Sequence, residues 1–348
     1  MKYLSLGIWM VILTLGVFLG CTNQDSTQED DMLLEEPTHF PTPNYDYKKN
    51  PVSRQGIALG RRLFFDPILS KNNTISCGSC HHPSEAYADP GKRLSEGIRQ
   101  QFTTRNTPGL FNLRWHRTFF ADGGVRHFEL TPLAPLVNRQ EMDGDLRDLI
   151  RKLQNSPTYR AQFRQVFATD SIQSKHVLYA FTQFMGTLVS ASSRYDQYML
   201  GKVKFTPIEQ KGFQVFTKKC SGCHTTQNQL FTDLSFRNNG LDSISIDPGR
   251  YIITEIGSDS GRFKVPSLRN VMLTPPYMHD GRFATIERVL QHYNQEVKNT
   301  PNLDTLLKQG RRLGIRINSE EKEALIRFLH TLTDSSFIKK SQPTAYVP

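Results

Sequence analysis

The stretch SCGSCHHPSEAYADPG, residues 76 to 91, and the stretch KCSGCHTT, residues 219 to 226, share the pattern Cys-x-x-Cys-His. The first cysteines of the two copies are 143 residues apart. Each copy places two thiols and an imidazole within five consecutive residues, and the chain does so twice. The residues are Cys77, Cys80 and His81 in the first copy and Cys220, Cys223 and His224 in the second.

Four kinds of site compete for this pattern. Two local disulfides require no histidine after each pair. A four-cysteine zinc site accepts the local spacing, but a gap of 143 residues is far longer than a zinc ribbon uses. A thioredoxin-like redox pair needs a βαβ setting, which the sequence does not show. Covalent haem c uses every element, because the two cysteines form thioethers and the histidine ligates the iron. The sequence therefore favours two covalently bound haem c groups, with His81 and His224 as proximal ligands.

The N-terminal residues predict export. Residues 1–20 form a short signal peptide, with Lys2 ahead of an apolar run and a small residue directly before Cys21. We expect a lipoprotein anchored through Cys21 at a membrane surface, with ordinary signal cleavage nearby as the alternative. Residues 21–50 are acidic and rich in proline, which is typical of a solvated tether. The predicted location is the periplasm.

Length and an internal repeat predict two domains of ordinary size. GRRLF at residues 60 to 64 and GFQVF at residues 212 to 216 share a glycine, an apolar residue and a phenylalanine ahead of a Cys-x-x-Cys-His copy. We place the N-terminal haem c domain at residues 51–203, the C-terminal haem c domain at 204–335 and a tail at 336–348.

The expected fold class is mainly α with long loops. A capping box with proline at the first helical position begins at Thr206 and predicts a helix that runs into Cys220. Apolar residues at helical spacing predict a long, buried helix over residues 174 to 193. A third helix is predicted from Asn318, with apolar residues on one stripe. Strand-like alternation is scarce.

The net charge of +10 raises the question of a nucleic-acid partner. The basic clusters RLSEGIRQQFTTR and KQGRRLGIR have no interleaved aromatic residues and match no nucleic-acid motif. A basic solvated surface is the simpler interpretation, and a docking patch for an acidic electron donor is the functional one. We expect no nucleic-acid partner.

Two longer stretches resemble a known family. FFADGGVRHFELTPLAPLVNRQEM (residues 119 to 142) and VPSLRNVMLTPPYMHDGRFATIERVLQHYN (residues 265 to 294) are similar to signature stretches of the bacterial dihaem cytochrome c peroxidases. That family includes MauG, which oxidises a tryptophan-derived cofactor precursor in a partner protein. The resemblance covers roughly residues 50 to 335 and includes both Cys-x-x-Cys-His copies.

The resemblance implies two cytochrome c-like helical domains, a first haem that reacts with hydrogen peroxide and a second that accepts electrons from a small cytochrome or copper protein. It implies that Glu141, in the EM pair, is the catalytic carboxylate, because a desolvated carboxylate near the iron can move a proton between the peroxide oxygens. It also leaves a homodimer as an option. A calcium ion is implied near the domain interface, with oxygen ligands from Asn106, Thr274 and the carbonyl of Pro276.

The chain departs from the family pattern around the first haem. Many members cap this haem with a histidine after the haem motif, whereas residues 83 to 115 contain none and His82 adjoins the proximal ligand. We therefore expect an open peroxide site, as in MauG. The tryptophan of the family's FWDG turn is Ala121 here, and Trp115 lies six residues earlier. Electron exchange between the haems through this position is therefore in doubt.

A further departure concerns the far face of the second haem. The family's methionine falls on Tyr293, fourteen residues after His279, and MauG also has tyrosine there. A phenolate ligand would favour ferric iron and lower the potential relative to a thioether, whereas the alternative is a tyrosine packed over a haem edge. Other candidate ligands are Met272, Met278, His279 and His292.

We conclude from the sequence that the protein is an enzyme, a cytochrome c peroxidase that reduces hydrogen peroxide to water. Two alternatives remain. One is a MauG-like dihaem oxidase of a protein substrate, and the other is a dihaem electron-transfer cytochrome without peroxidase turnover, whose irons would be capped on both faces.

Overall fold

The computed structural model describes residues 33–341, and these residues are mainly helical. The predicted signal peptide, Cys21 and the ends of the tether and tail lie outside the described residues. The α-helices are α1 (Arg54–Phe65), α2 (Leu133–Val137), α3 (Leu146–Asn155), α4 (Pro157–Phe167), α5 (Ser174–Gly186), α6 (Arg194–Met199), α7 (Pro207–Lys219), α8 (Tyr251–Thr254), α9 (Ile286–Gln291), α10 (Ser319–His330) and α11 (Ser335–Ser341). The strands are β1 (Phe236–Arg237) paired antiparallel with β2 (Phe263–Lys264), and β3 (Lys308–Gln309) paired antiparallel with β4 (Arg312–Leu313).

Polar caps set the starts of the helices that carry the haem motifs. The Thr206 side chain caps α7, which ends against Cys220 as predicted, and Asn318 caps α10 in the same manner. Ser53 caps α1. The prediction of a helix over 174 to 193 was wrong at its C-terminus, because α5 ends at Gly186. Beyond that point the backbone amide of Ser190 bonds a side chain, Asn112 Oδ1 at 2.8 Å, and no longer a helix carbonyl.

The internal repeat corresponds to a repeated helix crossing. α1 packs on α5 at Gly60, and α7 packs on α10 at Gly212. A β-carbon at Gly60 would overlap the carbonyl oxygen of Ala180, and one at Gly212 would overlap the carbonyl oxygen of Ala324. Only glycine lets the two backbones approach this closely. The segment 66–76 connects α1 to Cys77, whereas α7 ends directly at Cys220, so each crossing lies shortly before a Cys-x-x-Cys-His copy and fixes where that copy emerges.

A second repeat, which the sequence analysis did not identify, has an offset of 158 residues. Asn112 and Asn270 both have positive φ and each precedes a single 3₁₀ turn. Gly123 and Gly281, in the two Asp-Gly turns, also have positive φ. A single antiparallel bridge closes each turn, pairing residue 119 with 125 and residue 277 with 283. The two halves therefore share a loop architecture as well as a helix crossing.

A buried polar network joins the two halves. Asn112 and Ser190 exchange two hydrogen bonds, and the Ser190 hydroxyl lies 3.2 Å from Asp334 Oδ2 and accepts from Asn270 Nδ2 at 3.0 Å. The Asn270 side chain in turn accepts from the Asp334 amide at 2.9 Å. All four side chains are buried. Since unpaired buried polar groups are costly, the network holds the two repeats in one relative position.

Two hydrophobic clusters lie on either side of this network. The first includes Leu63, Phe181 and Phe184, and the second includes Phe216 and Phe328. Short segments cross over, because Tyr195 packs in the second cluster and Phe337 of α11 in the first. The domain boundaries given above stay predictions. Among residues 33–341, none of the helices has both the length and the apolar composition that a bilayer crossing requires.

We expect Gly60→Ala to lower the free energy of unfolding by about 1–3 kcal/mol, because the new methyl group would have to push α1 away from α5. Gly257→Ala is the matched control, since nothing lies within 4 Å of the position that its β-carbon would take. Urea unfolding followed by far-ultraviolet circular dichroism measures both. Equal midpoints for the two variants would contradict the close crossing.

Candidate haem-binding cavity

Both Cys-x-x-Cys-His copies open onto one cavity of about 880 Å³. Its walls come from both halves of the chain, so the two motifs share an interior although 143 residues separate their first cysteines. The four cysteines of the two motifs are free thiols, which argues against two local disulfides. The cysteines and histidines of the two motifs all line the cavity: Cys77, Cys80, His81, Cys220, Cys223 and His224.

Each motif forms the same tight turn. The backbone amides of Cys80 and His81 both point at the carbonyl of Cys77, at 3.2 and 2.9 Å, and the second motif repeats these distances around the carbonyl of Cys220. The turn brings both thiols and the imidazole to the cavity side. Burial raises the pKa of the Cys77 and Cys220 thiols to about 12. The four thiols do not converge on one point, since residues 33–341 hold no cluster of three or more His, Cys, Asp or Glu suited to a metal ion, and this argues against a four-cysteine zinc site.

The two imidazoles are neutral and oriented. His81 Nδ1 lies 2.6 Å from the carbonyl oxygen of Tyr87, and His224 Nδ1 lies 3.1 Å from that of Phe231. A carbonyl only accepts, so Nδ1 carries the proton and the Nε2 lone pair remains available to a metal. Burial lowers the pKa of His81 to about 4 and also lowers the pKa of His224, although the carbonyl bonds act in the opposite direction. This donor set fits haem iron.

Glu141 lies on the wall of the same cavity. It follows α2 in a loop that Asn138 organises, and its own carbonyl accepts from the Ile98 amide at 2.8 Å. Burial raises the pKa of Glu141, and the amide of Asn138, which donates to Oε1 at 2.7 Å, partly offsets this effect. The site therefore holds a partly desolvated carboxyl group that can exchange a proton more readily near neutral pH than a solvated one.

Tyr293 lines the cavity, whereas the neighbouring His292 points elsewhere. A single π-helical turn, His292–Glu296, follows α9 and places the two side chains on different sides. His292 Nε2 lies 3.0 Å from the carbonyl oxygen of Asn239 and is buried. Burial raises the pKa of Tyr293 to about 12. Of the other candidate ligands, Met278 and His279 line the cavity and Met272 does not.

The three residues predicted to bind calcium also line the cavity. The backbone amide of Asn106 donates to the carbonyl of His279 at 2.8 Å, so the loop of Asn106 meets the turn that contains Thr274 and Pro276. The Asn106 side-chain amide donates to the carbonyls of Lys92 and Arg93 at 3.1 and 3.2 Å. The structure thus brings the loops together, and calcium binding stays a prediction.

The structure adds two cavity residues that the sequence analysis missed. The histidine-free stretch 83 to 115 ends immediately before His116, which lines the cavity and whose Nδ1 has no partner among residues 33–341. Burial holds its pKa well below the usual range. Lys264 Nζ donates to the carbonyl of Thr118 at 2.6 Å, and burial lowers its pKa to about 8. In the second repeat, with its offset of 158 residues, His116 corresponds to Thr274, which the sequence analysis had already selected as a site residue. This correspondence could have identified His116 from the sequence.

The residue at the tryptophan position of the family pattern, Ala121, lies on the wall of the haem-binding cavity. Ala121 lines the cavity together with Phe119 and Phe120. Trp115 is buried elsewhere, where its Nε1 donates to the carbonyl of Pro41 at 2.6 Å and its ring packs edge-on against Phe40. Trp115 therefore does not take the place of the missing indole.

Comparisons with known proteins agree with this geometry. A family model described as di-haem cytochrome c peroxidase matches residues 54–204. The chain is 32% identical over 326 residues to the methylamine utilization protein MauG of Methylorubrum extorquens, covering 92% of this chain and 88% of that protein. It is 32% identical over 290 residues to the cytochrome c551 peroxidase of Nitrosomonas europaea, covering 81% of each.

A solved structure is also similar. It is described as a MauG-like protein associated with microbial copper homeostasis, and it superposes with a TM-score of 0.77 at 32% identity, covering 87% of this chain and 96% of the other. The prediction of mainly helical haem domains is confirmed.

We expect Asn138→Ala to raise the pKa of Glu141 further, because it removes the one hydrogen bond that favours the charged carboxylate. Infrared difference spectra against Glu141→Gln across pH would show the carboxyl band persisting to higher pH. Gln140→Ala, a neutral change in the same loop, is the control and should leave the band unchanged. An unshifted titration in Asn138→Ala would contradict the assigned bond.

Proposed function

The chain belongs to the di-haem cytochrome c peroxidase family, which includes MauG, and from this premise we propose that it reduces hydrogen peroxide to water with electrons from a small cytochrome or copper protein. The proposed attachment residues are the four motif cysteines, with His81 and His224 as proximal ligands. The supporting observation is the fit of the site: two oriented neutral imidazoles, four free thiols and one cavity that both motifs share.

Glu141 is the observation that carries the peroxidase proposal. A bound haem supplies the redox chemistry on peroxide, and the protein must supply the proton movements. The Glu141 carboxylate accepts the proton of the inner peroxide oxygen and returns it to the outer oxygen, which leaves as water. Burial favours this role because it raises the pKa of the carboxyl group toward neutrality. A pure electron-transfer cytochrome has no use for such a group beside a haem.

Tyr293 is proposed as the distal ligand of the second haem. It lines the cavity, whereas the adjacent His292 is bonded to a backbone carbonyl. Ligation by its oxygen would need the phenolic proton to leave, which the iron's charge promotes against the effect of burial.

The proposal also covers the location of the protein, its calcium site and its partners. We include export to the periplasm, lipid anchoring through Cys21 and a calcium ion held by Asn106, Thr274 and Pro276. A homodimer is left as an option, and the basic surface is the proposed contact for an acidic donor.

A MauG-like oxidation of a protein substrate is the second candidate. The similarity to MauG of Methylorubrum extorquens over 92% of this chain favours it. Steady-state peroxide consumption with a panel of reduced small cytochromes separates the two. Turnover with at least one of them supports the peroxidase, and a zero rate with all of them favours the second candidate.

Glu141→Gln preserves size but cannot shuttle a proton, so we expect the rate of reaction with peroxide to fall by on the order of 100-fold. Stopped-flow absorbance measures this rate, and pyridine haemochrome spectra establish that both haems are attached. Glu96→Gln, an exposed neighbour of the first motif outside the cavity wall, should react at the wild-type rate. A wild-type rate in Glu141→Gln would remove Glu141 from the mechanism.

Tyr293→Met should raise the potential of the second haem, because a thioether favours the reduced state more than a phenolate does. Spectroelectrochemical titration measures both potentials. Tyr277→Phe is the control, since this cavity tyrosine bonds the carbonyl of Val271 at 3.1 Å and is not a proposed ligand. Identical potentials before and after Tyr293→Met would indicate packing only.

A further inference from the structure

A second, smaller cavity of about 400 Å³ lies at the surface beside the haem-binding cavity, and we call it the Arg117 cleft. Its size falls in the range of small-molecule sites. The residues of its lining that matter here are Tyr45, His116, Arg117, Phe119, Arg126 and Glu129. Nothing in the proposed peroxide reaction uses it.

The Arg117 cleft and the haem-binding cavity share a wall. His116 and Phe119 line both of them. The Phe119 ring stacks on Phe128, with centroids 5.4 Å apart and planes at 12°, and Phe128 meets the Tyr45 ring edge-on at 5.3 Å. Two ring contacts therefore connect the wall of the haem-binding cavity to a tyrosine in the Arg117 cleft.

Tyr45 has what a redox-active tyrosine needs. Its hydroxyl donates to Glu129 Oε1 at 2.9 Å, so the Glu129 carboxylate is in position to accept the phenolic proton. That acceptor matters because a phenol becomes a strong acid when it loses an electron. Burial and then Glu129 raise the pKa of Tyr45 above its usual value, so the proton stays on the tyrosine until the ring is oxidised.

The charges of the Arg117 cleft favour an anion. Arg117 and Arg126 are exposed and take part in none of the ion pairs that join residues 33–341. Glu129 is the acid of the lining, and its carboxylate is engaged by Tyr45. Two free guanidinium groups beside aromatic rings suit a small aromatic anion.

We propose that the Arg117 cleft binds small aromatic anions and that Tyr45 oxidises them one electron at a time. This rests on the proposed reaction with hydrogen peroxide, which takes up two electrons, one from each of two anions, and two protons from solvent, and becomes two waters. For each electron, Tyr45 gives one to the oxidised centre in the haem-binding cavity and its phenolic proton to Glu129. The bound anion then returns an electron to the tyrosyl radical, Glu129 returns the proton, and the anion leaves oxidised by one electron. Two such cycles consume one peroxide.

Three variants of the haem-loaded protein test the proposal. In Tyr45→Phe, the tyrosyl radical seen by freeze-quench electron paramagnetic resonance after peroxide should disappear. The same variant should lose about tenfold in kcat for the dianionic dye ABTS. Tyr47→Phe is the matched control: its ring lies 4.8 Å from Tyr45, its hydroxyl bonds the carbonyl of Thr182, and it should keep both.

The anion site is tested separately. The double variant Arg117→Gln, Arg126→Gln should raise KM for ABTS about fivefold with little change in kcat. An increase of about fivefold in KM is the effect expected from the loss of two solvent-exposed ion pairs. The neutral donor guaiacol should not respond to this change. Equal KM values for ABTS in this variant and the wild type would overturn the anion site.

The remaining outcomes divide cleanly. An unchanged radical signal and ABTS rate in Tyr45→Phe, with a normal absorbance change on peroxide addition, overturn the role of Tyr45 and leave the proposed function standing. Absence of any absorbance change in the wild-type protein overturns both. A radical narrowed by ring-deuterated tyrosine and lost in Tyr45→Phe supports the proposal.

Discussion

The buried network of Asn112, Ser190, Asp334 and Asn270 is the interaction on which the rest of the molecule depends. It ties the loop that follows α5 in one half to the loop that follows α10 in the other. Among residues 33–341, the main apolar clusters of the two halves are separate, so no continuous apolar core holds the halves together. Fully satisfied polar groups with fixed geometry do this instead, and they fix register as well as distance. The shared interior of the two haem motifs is a consequence.

Backbone contacts also position the Cys-x-x-Cys-His motif in each half. A glycine crossing, at Gly60 in one half and Gly212 in the other, brings two helices close together and fixes the point at which the chain leaves the first of them. A carbonyl then holds each imidazole by Nδ1 and leaves Nε2 toward the cavity. Backbone geometry therefore sets the ligand direction, and burial sets the charge state, so neither depends on an exposed side chain.

Two parts of the wall of the haem-binding cavity differ in chemistry. Glu141 stands on one part of its wall as a partly desolvated acid, and Phe119 stands on another part that also faces the Arg117 cleft. The proposed proton transfer and the proposed electron transfer therefore involve different parts of the wall.

The sequence by itself determined the haem motifs, the caps at Thr206 and Asn318, the mainly helical class and the family. These features depend on contacts between residues a few positions apart, or on short stretches that can be identified without knowledge of the fold. Only the tertiary structure decided which side chains face the cavity. A π-helical turn separates Tyr293 from His292, and long-range packing brings Tyr45 to the wall behind Phe119. Local sequence periodicity predicts neither the orientation of Tyr293 nor the location of Tyr45. Which residues form the cavity wall depends on how the two halves of the chain pack together.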